Sequence, residues 1–247
     1  MVDIFEEVDE ALRKERLARV WREYGVVIIA GLSMLVIFTA FFSYMNFYNL
    51  RQNESATHDL LALLESVESV DPLGVESSLA HSESLLTFAE KTRFGHAMIA
   101  RFHAAGVLLQ ASNTESREQA KSLRMQAMDI YQEIAQNNRY PRIFRDLAVL
   151  ARIRAGLDHA QDDEISSFVR SLTLIMEDPR NPWRFHARLY LAGVYAYGKQ
   201  DMESAVRILQ PLIDMREGKE SPVAPMSLLK RAQALHNVYH AQIEWAD

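Results

Sequence analysis

The run from Leu189 to Leu212, LYLAGVYAYGKQDMESAVRILQPL, holds two helices' worth of residues. Its bulky apolar positions, Leu189, Met202, Leu209 and Leu212, do not alternate as a half-buried strand would require; they suit helices. Two small residues, Gly193 and Ala205, stand twelve positions apart, where a pair of helices can approach closely. The spacing predicts one helix over 183–197 and a second over 202–215, paired as a hairpin.

Outward from this hairpin the same pattern continues. Toward the N-terminus, apolar periodicity predicts helices around Leu60, Leu61, Leu64 and Val67, around Leu79, Leu86 and Phe88, and over 94–110, 116–136, 142–157 and 165–176. The fourth of these carries Ala120, Leu123, Ala127, Tyr131 and Ile134 on one face. Asn137-Asn138 with Pro141, and Asp178-Pro179 with Asn181-Pro182, break the chain between them; Asp162-Asp163 reads as a helix cap. A last helix is expected over 226–245. The hairpins repeat: Ala105, Ala151, Ala192 and Ala234 recur after 46, 41 and 42 residues. Phe144 and Phe185 precede Leu150-Ala151 and Leu191-Ala192 by equal distances. Such a period means hairpins stacked side by side, each covering the apolar face that its neighbour cannot bury alone.

With Gly193 and Ala205 in the two small places, the run 189–212 resembles a tetratricopeptide repeat with longer turns. Armadillo or HEAT hairpins of about 40–47 residues would also satisfy the period, and either reading gives an α-solenoid.

A second stretch sets where this solenoid sits. Residues 25–48, GVVIIAGLSMLVIFTAFFSYMNFY, contain no charge. At about 1.5 Å per residue, about 20 of them cross a hydrocarbon layer of about 30 Å. Trp21 and Tyr24 before it, and Tyr44 and Tyr48 within its end, take the positions of interfacial rings. Arg13, Lys14, Arg16, Arg19 and Arg22 precede the stretch, whereas Arg51 follows alone until Lys91. Basic residues stay cytoplasmic, so the expected order is a charged cytoplasmic helix over 1–24, a transmembrane helix over 25–48 and an exported helical domain over 49–247. The fold class is all-α.

Composition narrows the function. The formal net charge of −6 offers no basic field for nucleic acid, and the absence of cysteine removes disulfides and thiol chemistry. No phosphate-cradling glycine loop, nucleophile elbow or H-E-x-x-H pair occurs. His236, His240 and Glu244 follow one another at single-turn intervals, which spreads them along a helix instead of converging them on a metal. His96 and His103, seven apart, could align in a groove, though an ordinary solvated role is the simpler one. Acids at Asp162, Asp163 and Glu164 suit a helix start. These residues predict no enzyme, no metal and no cofactor. Tyr190 and Tyr197, seven apart in the aromatic run with Phe185 and Tyr195, form the expected partner surface.

The chain also carries Asp3-Ile4-Phe5 through Glu15-Arg16-Leu17, Trp21-Arg22-Glu23-Tyr24-Gly25, Tyr140-Pro141 with Phe144-Arg145-Asp146-Leu147-Ala148, and Asn181-Pro182-Trp183-Arg184. In these it resembles membrane-anchored tetratricopeptide-like proteins of Gram-negative bacteria, the YfgM-like ancillary Sec-translocon subunit family, in its alphaproteobacterial branch. The resemblance implies a non-catalytic scaffold of the inner membrane with its helical domain in the periplasm. Its implied partners are the Sec translocon and periplasmic folding factors, with no nucleic acid and no small-molecule substrate. The competing expectation is a structural or assembly subunit of another envelope or respiratory complex.

Overall fold

The computed structural model describes residue 39 and residues 53–65, 75–113, 116–217 and 224–246. Outside them lie the expected cytoplasmic helix 1–24 with Arg13, Lys14, Arg16, Arg19 and Arg22, and the interfacial Trp21, Tyr24, Tyr44 and Tyr48. The expected span 25–48 also lies outside them but for Thr39, which is helical. Among the described residues no helix is long and apolar enough to cross a membrane. The chain divides into two units, Met1–His58 and Asp59–Asp247. Of the first, residues 53–58 are helical. The helical stack belongs to the second.

Every regular element described in this unit is helical. After helical residues 59–65 come α1 (Val75–Lys91), α2 (Phe94–Ser112), α3 (Arg117–Gln136), α4 (Arg142–Gly156), α5 (Asp162–Glu177), α6 (Arg184–Gly193), α7 (Met202–Glu217) and α8 (Met226–Ala246). A 3-10 turn, Leu157–His159, extends α4, and a π turn, Val194–Gly198, extends α6. The helices form because apolar residues recur at 3.6-residue intervals. In α5 the buried set is Ile165, Phe168, Leu172 and Ile175; in α3 it includes Leu123, Ala127, Tyr131 and Ile134. Leu60 is buried as its place in the apolar pattern requires, whereas Leu61 and Leu79 of the same patterns are exposed; in α1 it is Leu85 that is fully buried.

Each helix packs on its chain neighbours, and alternate helices also meet: α4 touches α6, and α6 touches α8. The buried side chains form three apolar clusters in chain order. The first joins Leu60, α1, α2 and α3 and reaches Ala148; the second joins α4, α5 and α6; the third joins α6, the π turn, α7 and α8. Met128 of α3 packs against the second cluster, and Tyr195 and Ile208 pack against both the second and the third. The clusters are thus linked but not merged, so much of the burial energy is local to neighbouring helices.

Two connections show why the chain turns where it does. Asn137 ends α3 and accepts the Arg139 amide on Oδ1 at 3.0 Å, and Asp178 ends α5 and accepts the Arg180 amide on Oδ1 at 2.9 Å. Each is followed four positions later by a proline, Pro141 and Pro182, which suits the start of a helix because its missing amide hydrogen would have had no partner there. The α5 cap differs from the expected one. Gln161, not Asp162 or Asp163, is the capping position, its amide donating to Glu164 at 3.3 Å in a capping box, while the two aspartates fill the first turn. At the start of α7 the Ser204 hydroxyl, and then the Ser204 amide at 2.9 Å, donate to Asp201, and these hydrogen bonds hold its carboxyl below the usual carboxylate range. Gly156 closes α4 where a β-carbon would run into the Met128 thioether, so the side chain it lacks leaves room for α3.

Burial also sets an acid limit on the fold. His186 and His81 both have imidazole pKa values pushed down by burial first, then by Arg231 and His103 respectively. Each ring has one buried nitrogen without a hydrogen-bond partner, His186 Nδ1 and His81 Nε2. Because the folded values lie below the unfolded value of about 6.5, the unfolded chain binds more protons beneath that pH. Stability is therefore complete above about pH 6.5 and falls as pH drops toward the folded values. Denaturant midpoints measured at descending pH are expected to fall in this window, and His186→Phe to reduce the slope. A midpoint that rises on acidification contradicts the assignment.

Candidate functional site

Three alternate helices contribute residues to one groove. Gly106, Leu109 and Asn113 of α2 and its cap, Leu147, Leu150, Ala151, Arg154 and Asp158 of α4 and its 3-10 turn, and Trp183, His186 and Tyr190 leading into α6 all follow helical spacing. Arg124 and Tyr131 of α3, with Ser112 and Ala155, complete the lining, and the groove encloses about 450 Å³. The repeated alanines fall on these alternate helices and on α8, so the period read from the sequence is the period of helix pairs.

The two ends of the groove differ in chemistry. At the start of α4 and α6 the wall is aromatic. The Trp183 indole Nε1 donates to the Ile143 carbonyl at 2.8 Å, and its ring meets His186 edge-on with centroids 5.5 Å apart. This end is anchored by a buried amide: Asn181 donates from Nδ2 to Asp146 at 2.7 Å and accepts the Trp183 amide at 2.9 Å. Arg142 braces the same joint, 2.9 Å from Asp178 and 3.6 Å from Asp146. At the other end, Arg124 Nε donates to Ser112 Oγ at 3.3 Å and its Nη1 faces His159 Nε2 at 3.2 Å. Arg154 lies beside Tyr131; burial raises the Tyr131 phenol pKa, and the guanidinium opposes part of that rise.

The repeat alanines and glycine are placed unevenly. Ala105, Ala192 and Ala205 are fully buried, Ala151 and Gly193 are half-buried, and Ala151 lines the groove. Ala234 is exposed, and Ala232 is the buried small residue of α8. Tyr190 lines the groove, but Tyr197 does not share its stripe. The π turn intervenes, with the Lys199 amide bonding the Val194 carbonyl five residues back at 3.1 Å, and this wider turn rotates the residues after it. Tyr197 instead stands edge-on to the buried Tyr239, ring centroids 5.9 Å apart. Burial, and then Tyr197, push the Tyr239 phenol pKa upward.

Neither His96 nor His103 lines the groove, and His103 faces His81 of α1. His236 and His240 stack at 6.1 Å, and His240 meets Glu244 at 3.4 Å. Among the described residues no group of three or more histidine and acidic side chains is placed to hold a metal ion. The sequence reading missed Arg124, Tyr131, Arg154, Trp183 and His186. The available signal was the stripe Leu147, Leu150-Ala151, Arg154, Asp158, whose one-turn spacing runs beside a repeated alanine. No family model matches the chain, and comparison with curated proteins and with solved structures likewise finds no significant match.

Proposed function

We propose that the chain is a single-pass, membrane-anchored scaffold whose helical domain, a tetratricopeptide-like α-solenoid, docks other proteins in the groove formed by α2, α4 and α6. The observation that carries this reading is that three alternate helices of the stack, α2, α4 and α6, all line one groove. Stacked hairpins build extended binding faces in this way, and aromatic side chains with a polar rim are what such faces use. The charge-free stretch 25–48 supports the anchor, and the preceding basic cluster supports an exported domain. In this reading the family resemblance supplies the setting: the bacterial inner membrane, with the Sec translocon and periplasmic folding factors as partners. Tethering raises the local concentration of a client around its machine without any chemistry on the client.

Two measurements test the reading. Deleting residues 25–48 is expected to move the protein from the membrane pellet to the supernatant, and a carboxyl-terminal reporter active only after export is expected to be active on the intact chain. A reporter active only in the cytosol would refute the topology. Photocrosslinking from positions 147 and 190 in intact membranes is expected to capture translocon or folding-factor subunits. Capture of one other envelope complex in fixed stoichiometry would replace the adaptor role with that of a structural subunit.

A further inference from the structure

The docking groove carries charge that the rest of the chain does not lead one to expect. The chain has a formal net charge of −6, yet two guanidiniums, Arg124 and Arg154, line the end of the groove opposite the Trp183 wall. Arg124 is occupied only by neutral or titratable partners, Ser112 and His159. Among the described residues neither arginine pairs with a carboxylate. Asp158, one turn beyond Arg154, stands on the same rim without closing an ion pair to it.

We propose that the groove recognises an extended peptide segment bearing a single aspartate or glutamate beside an apolar or aromatic residue. The carboxylate would be held by Arg124 and Arg154, and the neighbouring side chain would lie against Trp183, His186 and Tyr190. Arginine suits this task because its planar fork of donors matches a carboxylate, and a charge-assisted pair gains strength in a partly enclosed groove. Asp158 selects against a run of acids, since a second carboxylate would meet it at close range. Tyr131, buried between the two ends and beside Arg154, offers a hydroxyl to the peptide backbone.

This inference rests on the docking function proposed above, and one experiment separates the two. Short random peptides displayed on phage are panned against the full chain in detergent. The enriched peptides are expected to share one acidic residue adjacent to an apolar one. Synthetic copies with that acid changed to its amide are expected to bind roughly tenfold more weakly or worse. The double variant R124Q/R154Q is expected to erase that difference, and a helical circular-dichroism spectrum and melting midpoint equal to those of the wild type show that it is folded. Enriched peptides without an acidic preference, or a preference that survives in the double variant, would overturn carboxylate recognition and leave docking standing. No enrichment, or binding indifferent to Tyr190→Ala and Leu147→Asp, would overturn docking and this inference together.

Discussion

Phe168→Ala is expected to destabilise the helical unit by about 3–5 kcal/mol, the range for removing a large side chain from a packed core. Phe168 is almost fully buried at the centre of the cluster that joins α4, α5 and α6. The Arg152 guanidinium lies over its ring at 5.6 Å, and Gly156 packs beside it. No neighbouring side chain can simply fill the space, because Leu172 and Ile153 are themselves buried and committed. For a unit of this size the loss corresponds to a fall in melting midpoint on the order of 10 °C. Phe168→Leu, which keeps most of the volume, is expected to cost much less. The middle cluster shares Tyr195 and Ile208 with the third and is packed by Met128 of α3, so the alanine variant is also expected to broaden the denaturation curve as the flanking helices uncouple. Equal melting curves for wild type and the alanine variant would show that this cluster does not hold the unit together.

Asp146→Ala is expected to cost about 2–3 kcal/mol, more than its partly exposed position on α4 suggests. Its carboxylate accepts the buried Asn181 amide, so removing it strands a donor that water cannot readily reach. Arg142 loses one of two acidic partners in the same change. The damage should spread to the groove. Asn181 holds the Trp183 amide, and Trp183 holds the start of α6 to the Ile143 carbonyl, so His186 and Tyr190 lose their positioning. Asp146→Asn retains an acceptor oxygen and is expected to lose only part of the stability. Thermal melts of the two variants, together with hydrogen exchange at the Trp183 indole, check both claims. An alanine variant with unchanged melting would mean that the joint is solvated.

Local patterns in the chain accounted for most helix positions. The face of α3 through Leu123, Ala127, Tyr131 and Ile134 is buried as its spacing requires, because a helix repeats every 3.6 residues wherever it sits. Breaks at Asn137 and Asp178 were legible for an equally local reason: a short side-chain acceptor and a following proline act within four residues. Non-local features were not legible. Asp146 and Asn181 are 35 residues apart and gain meaning only when α4 meets the α5–α6 connection. Arg124 and Arg154 look like ordinary solvated charges until the ends of α2 and α4 come together around them.

The tyrosine stripe marks the boundary between these two kinds of information. Tyr190 and Tyr197 belong to one face of an ideal helix, and periodicity alone could say no more than that. Packing against Tyr239 and the π turn at Val194–Gly198 separated them, one into the groove and one over the last helix. Helical content, the order of the hairpins and the period that relates them were written in the chain, because each follows from contacts between residues a few turns apart. Which side chains converge on the groove, which alanines are buried and which charges stay unpaired came from the assembled stack, because those depend on surfaces that exist only once distant helices meet.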